Sequence, residues 1–228
     1  MEEITVNTKN EALKRRTFLR YAGAGVAIAT LTVAGCKKNH NDMPNPEDGE
    51  YFGSGDIAIL NYAYALEQLE AAFYTKVADT PYSGITSQEN SFFTDIRDHE
   101  IAHREFFKAA IGGNAIKGLE VDFSSINFGS RDSVLAAAKA FEDLGVSAYN
   151  GAGRLIQDSK YLLLAGKIVS VEARHAALIR DLISNGSFAD DTVVDMHGLD
   201  TSRSPGEVLK IASVYIKTKL NVRDLPNY

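Results

Sequence analysis

Apolar residues recur at helical spacing in four long stretches, separated by polar breaks marked with proline and glycine. The first stretch runs from about Asp56, an N-capping residue, to about Ala78, where Asp79-Thr80-Pro81 stops it. The second opens at Thr86, with Glu89 completing a capping box, and ends at Gly112-Gly113. The third starts after Ser130 and fades near Gln157; the fourth extends from about Ser159 to Ser184 and meets Asn185-Gly186. A shorter helix is predicted over roughly 205–218, with Ser204 as N-cap, Pro205 in the first position and Glu207 closing the box. No solenoid-type repeat is visible, although the first and second helix pairs look like two versions of one hairpin.

The connections set the topology. Two links are short and favour antiparallel neighbours, whereas residues 113–129 form a link of about 17 residues. Extended at ~3.3 Å per residue it reaches ~56 Å, while a 25-residue helix is only ~38 Å long. It can therefore cross the whole bundle. The expected fold is all-α, a four-helix bundle with one long crossover from helix 2 to helix 3 and a short C-terminal helix.

Composition narrows the picture. A 45% hydrophobic content suits one compact globular domain, and a net charge of −6 argues against nucleic acid as a partner, since phosphate binding requires a basic face. The basic residues cluster early. Lys14-Arg15-Arg16-Thr17-Phe18-Leu19-Arg20 resembles the twin-arginine export consensus, with Arg15 and Arg16 as its pair. The following Ala/Gly-rich stretch, Tyr21 to Gly35, is too short to span a bilayer as a mature helix and ends in Val33-Ala34-Gly35-Cys36. That ending resembles a lipobox, which implies that Cys36 is lipidated and becomes the mature N-terminus. Substrates of the twin-arginine route cross the membrane already folded, so a metal could be loaded beforehand. Cys36 is the only cysteine, so no intramolecular disulfide can form. The expected organisation is a signal peptide at 1–35, a flexible tether at 36–55, the bundle at 56–186 and a C-terminal extension at 187–228.

The candidate chemistry lies in the apolar stretches. Glu100-Ile101-Ala102-His103 and Glu172-Ala173-Arg174-His175 each place a carboxylate and an imidazole on one helical face. Glu67 and Glu142 are lone glutamates on the other two helices. Measured from their shared turns, Glu67 and Glu100 lie ~17 and ~20 Å deep, and Glu142 and Glu172 ~22 and ~18 Å, so all four can meet at one level. Their faces are otherwise apolar: Glu142 keeps company with Leu135, Ala138, Val146 and Tyr149, and Glu172 with Ile168, Ala176 and Ile179. Ionised carboxylates buried there must be protonated, paired with bases or bound to cations. Two divalent ions balance four carboxylates, and a donor set without thiolate suits iron, manganese or zinc. Iron ranks first and manganese next. A polar network without metal is the bland alternative. A second alternative is His99-Glu100-Ile101-Ala102-His103, which also fits the zinc-protease helix H-E-x-x-H but leaves Glu67, Glu142, Glu172 and His175 unexplained. His40 and His197 are expected in solvent.

The arrangement resembles the ferritin-like superfamily, over about residues 56–186. The string from Leu60 to Tyr74, LNYAYALEQLEAAFY, together with Ala148-Tyr149-Asn150-Gly151-Ala152 and Glu172 to Leu178, resembles its desiccation-related bacterial branch. In the superfamily a tyrosine follows the lone glutamate by seven residues, a spacing kept by Glu67 with Tyr74 and by Glu142 with Tyr149. This implies that Glu67, rather than Glu70, is a direct ligand, with Glu70 orienting ligands from behind and Tyr74 and Tyr149 close to the site; with the protease-like motif set aside, His99 is a neighbour that could orient a ligand in the same way. The resemblance also implies oxidation of ferrous iron, peroxide reduction, manganese catalase activity or activation of dioxygen. For an exported lipoprotein the expected role is a di-iron or di-manganese oxidase or peroxidase in oxidative-stress defence or metal handling, anchored to the membrane; a lipidated tether and a C-terminal extension fit poorly with a closed storage cage, and an oligomer is compatible with the sequence. A non-enzymatic envelope scaffold stapled by metal is the alternative.

Overall fold

A computed structural model describes residues 49–226. The signal segment, Arg15, Arg16, Cys36, His40 and most of the expected tether lie outside them. Four helices form the bundle: α1 (Gly55–Asp79), α2 (Ser87–Ile111), α3 (Arg131–Gly153) and α4 (Ser159–Ile183). Among the described residues no helix is long and apolar enough to cross a membrane.

Local chemistry places most of the helix ends. Thr86 and Glu89 form the predicted capping box at the start of α2, and Ser130 caps α3. At the other end of α2, Gly112 adopts φ 61°, a backbone region suited to glycine at a helix stop. Asp56 is not the cap of α1. Ser54 holds that position, and the Asp56 carboxylate instead accepts the Gln157 and Asp158 amides at 2.9 and 2.8 Å. It thereby ties the α3–α4 turn to the start of α1. At the opposite end Arg131, beginning α3, reaches Glu89 of α2 at 2.7 Å and the Leu182 carbonyl of α4 at 2.9 Å. α3 stops at Gly153, earlier than the expected fade near Gln157.

The crossover, residues 112–130, runs the length of α1 and is held by polar side chains of that buried helix. Asn61 donates to the carbonyls of Phe52 and Asn114 at 3.0 and 2.9 Å and accepts the Ile116 amide at 2.9 Å. About two turns along, Gln68 accepts the Leu119 amide at 2.8 Å. These two residues satisfy backbone groups of a loop that has no ladder of its own. Farther on, Phe123 and Phe128 of the crossover pack around Phe73, with ring centres 5.9 and 5.8 Å away.

The C-terminal extension is part of the same body. Helix α5 (Pro205–Ala212) opens with the expected Ser204–Glu207 box but ends sooner than 218, giving way to a short 3-10 turn, Ser213–Tyr215. The reason is tertiary: Ile216 bridges to Val121 of the crossover, and Tyr215 packs on Phe141 at 4.8 Å. Two short strands were also not anticipated. Strand β1 (Glu50–Tyr51) pairs in parallel with β2 (Leu220–Asn221), and Phe52 is fully buried. The last residues of the supposed tether therefore belong to the fold.

Candidate metal centre

The four bundle helices converge their acidic residues at mid-height. Glu67 on α1, Glu100 on α2, Glu142 on α3 and Glu172 on α4 are each 0% exposed, and His175 is 4% exposed. Two overlapping sets form: Glu67, Glu100, His103 and Glu172 in one, Glu100, Glu142, Glu172 and His175 in the other, with donor atoms inside each set within 4.8 Å of one another. Glu100 and Glu172 belong to both.

The two imidazoles face inward through Nδ1. That atom of His103 lies 2.9 Å from Glu172, 3.4 Å from Glu67 and 3.5 Å from Glu100. For His175 the distances are 2.8 Å to Glu100, 3.6 Å to Glu142 and 3.9 Å to Glu172. These contacts are close in distance but not hydrogen-bonded in direction. Glu67 Oε2, Glu142 Oε2, both oxygens of Glu100 and Glu172, and both Nδ1 atoms are buried without a hydrogen-bond partner. Buried polar atoms are ordinarily satisfied, so lone pairs converging in this way fit cations. Hard carboxylates with imidazole suit iron, manganese or zinc.

The remaining oxygens of the lone glutamates are occupied crosswise. Tyr74 of α1 donates to Glu142 Oε1 of α3, and Tyr149 of α3 donates to Glu67 Oε1 of α1. Each tyrosine therefore serves the glutamate on the facing helix, not the one seven residues before it. Burial, followed by the charge of the glutamate it bonds, raises each phenol's pKa well above its usual value and keeps it a donor.

His99 lies outside both sets. Its Nδ1 is 2.9 Å from His175 Nε2, with the two rings nearly parallel at 18°. If His175 gives the Nε2 proton to His99, its Nδ1 keeps a lone pair toward the carboxylates, the orientation that a ligand needs. The protease-like motif is not assembled: Glu100, which would be its free base, is turned into the cluster. Glu70, 3% exposed, approaches α3 where Gly145 leaves space; a Cβ at Gly145 would sit 3.0 Å from Glu70 Oε1. Burial and the neighbouring glutamates push its pKa well above normal. The role of Gly145 is visible in sequence only as a mismatch between halves, Glu67-x-x-Glu70 against Glu142-x-x-Gly145. His197 is exposed, as expected.

The electrostatics of the metal-free cluster follow from burial. It raises Glu100 from 4.5 to about 8 against the opposing pull of His103, and raises Glu172 from 4.5 to about 8 with the charges of Glu100 and Glu67 adding to it. Glu142 is also well above normal through burial and then repulsion from Glu100 and Glu172. Burial opposes charging His103, but the close carboxylates of Glu100, Glu172 and Glu67 outweigh it and raise its pKa. Burial lowers His175. The folded cluster thus holds protons that the unfolded chain releases as pH rises from 4.5 to about 8. That contribution is complete below the lower value and lost through the upper one. His175 and His99, both lowered by burial, act in the opposite sense but are two groups against several. Metal-free protein is expected to have a lower thermal midpoint at pH 8 than at pH 5. Stabilisation by added metal should grow over the same interval, because metal binds the deprotonated ligands. Thermal melts with and without chelator check both slopes.

A four-helix bundle with a buried carboxylate and histidine cluster at mid-height could hold metal between its helices. Residues 55–185 match the family model of the ferritin-like domain, and the chain belongs to that family. No curated protein matches the chain.

Proposed function

We propose that the chain holds two divalent metal ions, iron first and manganese next, and uses them as an oxidase or peroxidase in oxidative-stress defence or metal handling. The observation that carries this reading is the pair of overlapping sets of buried, partnerless donor atoms. Glu67, Glu100, His103 and Glu172 would hold one ion and Glu100, Glu142, Glu172 and His175 the other, with Glu100 and Glu172 common to both sets. When bound, the two ions would each supply one electron to dioxygen or peroxide. The chain's own residues do the rest. Tyr74 and Tyr149 fix the lone glutamates through one oxygen and leave the other for metal. His99 orients His175, and the apolar helix faces exclude bulk water, which strengthens every charge interaction inside.

Anaerobic protein loaded with ferrous iron and mixed with air or hydrogen peroxide tests the reading. Rapid oxidation with a transient visible band is expected; tight metal binding without oxidation by either would favour a structural staple in an envelope scaffold. The desiccation-related likeness supports a stress role without naming the substrate. For location, the twin-arginine and lipobox-like segments support export and anchoring in the cell envelope through a lipid on Cys36. Cys36→Ser should move the protein from the membrane to the soluble fraction of its host, and Arg15→Lys with Arg16→Lys should block export. Native protein already soluble and unlipidated would overturn this placement.

A further inference from the structure

Beside the metal centre, toward the bundle end that holds the start of α1, lies a cavity of about 20 Å³ whose lining is almost wholly apolar. Ala63 and Leu66 of α1, Phe107 of α2, Ala148 and Ala152 of α3 and Ala165 of α4 are among its walls. Its wall nearest the centre includes Tyr149, the residue whose hydroxyl bonds Glu67. Ala110 of α2, exposed, and Tyr161, Leu164 and Ala165 of α4, half-buried, carry the cavity to the surface. On α1, Ala63 is one turn from Glu67.

Size and polarity restrict what can occupy this space. Roughly 10–15 Å³ admits one water-sized molecule, so the cavity takes a diatomic or triatomic guest and not a metabolite. Water needs two to four polar partners and finds almost none here, while a metal ion would lose its hydration without gaining ligands. Polar species have another side of the cluster: His103 retains 13% side-chain exposure, and the neighbouring His99 reaches solvent.

We propose that this cavity is the access path for an apolar diatomic oxidant, dioxygen, separate from the polar side on which His103 and His99 meet solvent. The inference rests on the oxidase reading above and adds to it which oxidant the chain is shaped to admit. Both oxidants can draw on the same two ferrous ions. Dioxygen takes two electrons and two protons to leave as hydrogen peroxide; hydrogen peroxide takes two electrons and two protons to leave as two waters. A block in the cavity therefore separates them by route and not by chemistry.

Xenon serves as the probe of the space, and Ala165→Phe and Ala110→Phe as the blocks. Both positions reach solvent, so the new rings can be placed without repacking the core. Xenon under pressure should occupy the cavity of crystalline wild type and vanish in Ala165→Phe. In stopped-flow mixing, each variant loaded with ferrous iron should react with dioxygen at least tenfold more slowly, with iron content and the rate with hydrogen peroxide unchanged. Absence of xenon from the wild-type cavity, or equal slowing of both oxidants, overturns the proposal. Wild-type protein that binds iron but reacts with neither oxidant instead overturns the functional reading, and the use of the cavity falls with it.

Discussion

Glu172→Ala is expected to empty the metal centre of both ions, whereas His175→Ala removes or weakens only one. The difference follows from membership of the two donor sets. Glu172 and Glu100 stand in both, while His103 and Glu67 stand in one and His175 and Glu142 in the other. Each alanine also takes away a buried charge that the partner ion needs, so loss at the shared positions is cooperative. Elemental analysis after loading should give close to zero ions per chain for Glu172→Ala and Glu100→Ala, and about one for His103→Ala or His175→Ala. Far-ultraviolet circular dichroism should stay helical throughout, because the apolar faces of the bundle are untouched. Glu70→Gln is the contrasting control, since Glu70 belongs to neither set and should leave the stoichiometry at two. A single zinc held between His99 and His103 in native protein would overturn the assignment of two ions to the two donor sets.

The second large effect concerns stability. Loading metal is expected to raise the thermal midpoint in proportion to the logarithm of free metal over its dissociation constant, by about 2.7 kcal/mol per site at a hundredfold excess. For a domain of this size that is roughly 5–10 °C per site. Removing the buried charges instead should help the metal-free form, but only if the tyrosines go with them. Glu67→Leu with Glu142→Leu strands the hydroxyls of Tyr149 and Tyr74, and each buried donor without an acceptor costs about 1–3 kcal/mol. Adding Tyr74→Phe and Tyr149→Phe removes both partners of each bond. The fourfold variant should bind no metal and unfold at or above the midpoint of metal-free wild type, with the twofold variant clearly below it. Equal midpoints for metal-free and metal-treated wild type, with no metal detected in either, would leave only a polar core network.

The bundle was legible because helical periodicity and stop signals are local properties of the chain. The length of the link at 113–129 permits a crossover of the whole bundle before any contact is known. Convergence of Glu67, Glu100, Glu142 and Glu172 followed from depth along each helix. What stayed hidden was pairwise and tertiary. A spacing of seven puts Tyr74 on the face of Glu67 but cannot say that its hydroxyl crosses to Glu142. Asp56 has the chemistry of a cap, and only the fold shows that it serves the α3–α4 turn. Nothing in Ser213-Val214-Tyr215 stops a helix; the bridge of Ile216 to Val121 does. Strands of two residues carry no alternation to detect, so β1 and β2 were missed.

The pairing of β1 with β2 has one more consequence. The Glu50 amide meets the Lys219 carbonyl at 2.9 Å, and the Phe52 amide meets that of Asn221 at 3.1 Å. The domain therefore receives its chain and releases it at one spot, a geometry that tolerates rearranged connectivity. A short linker from residue 226 back to residue 49 would close the described domain into a ring, which could be reopened in the exposed turn at Asn185-Gly186 without cutting any helix that carries a candidate ligand.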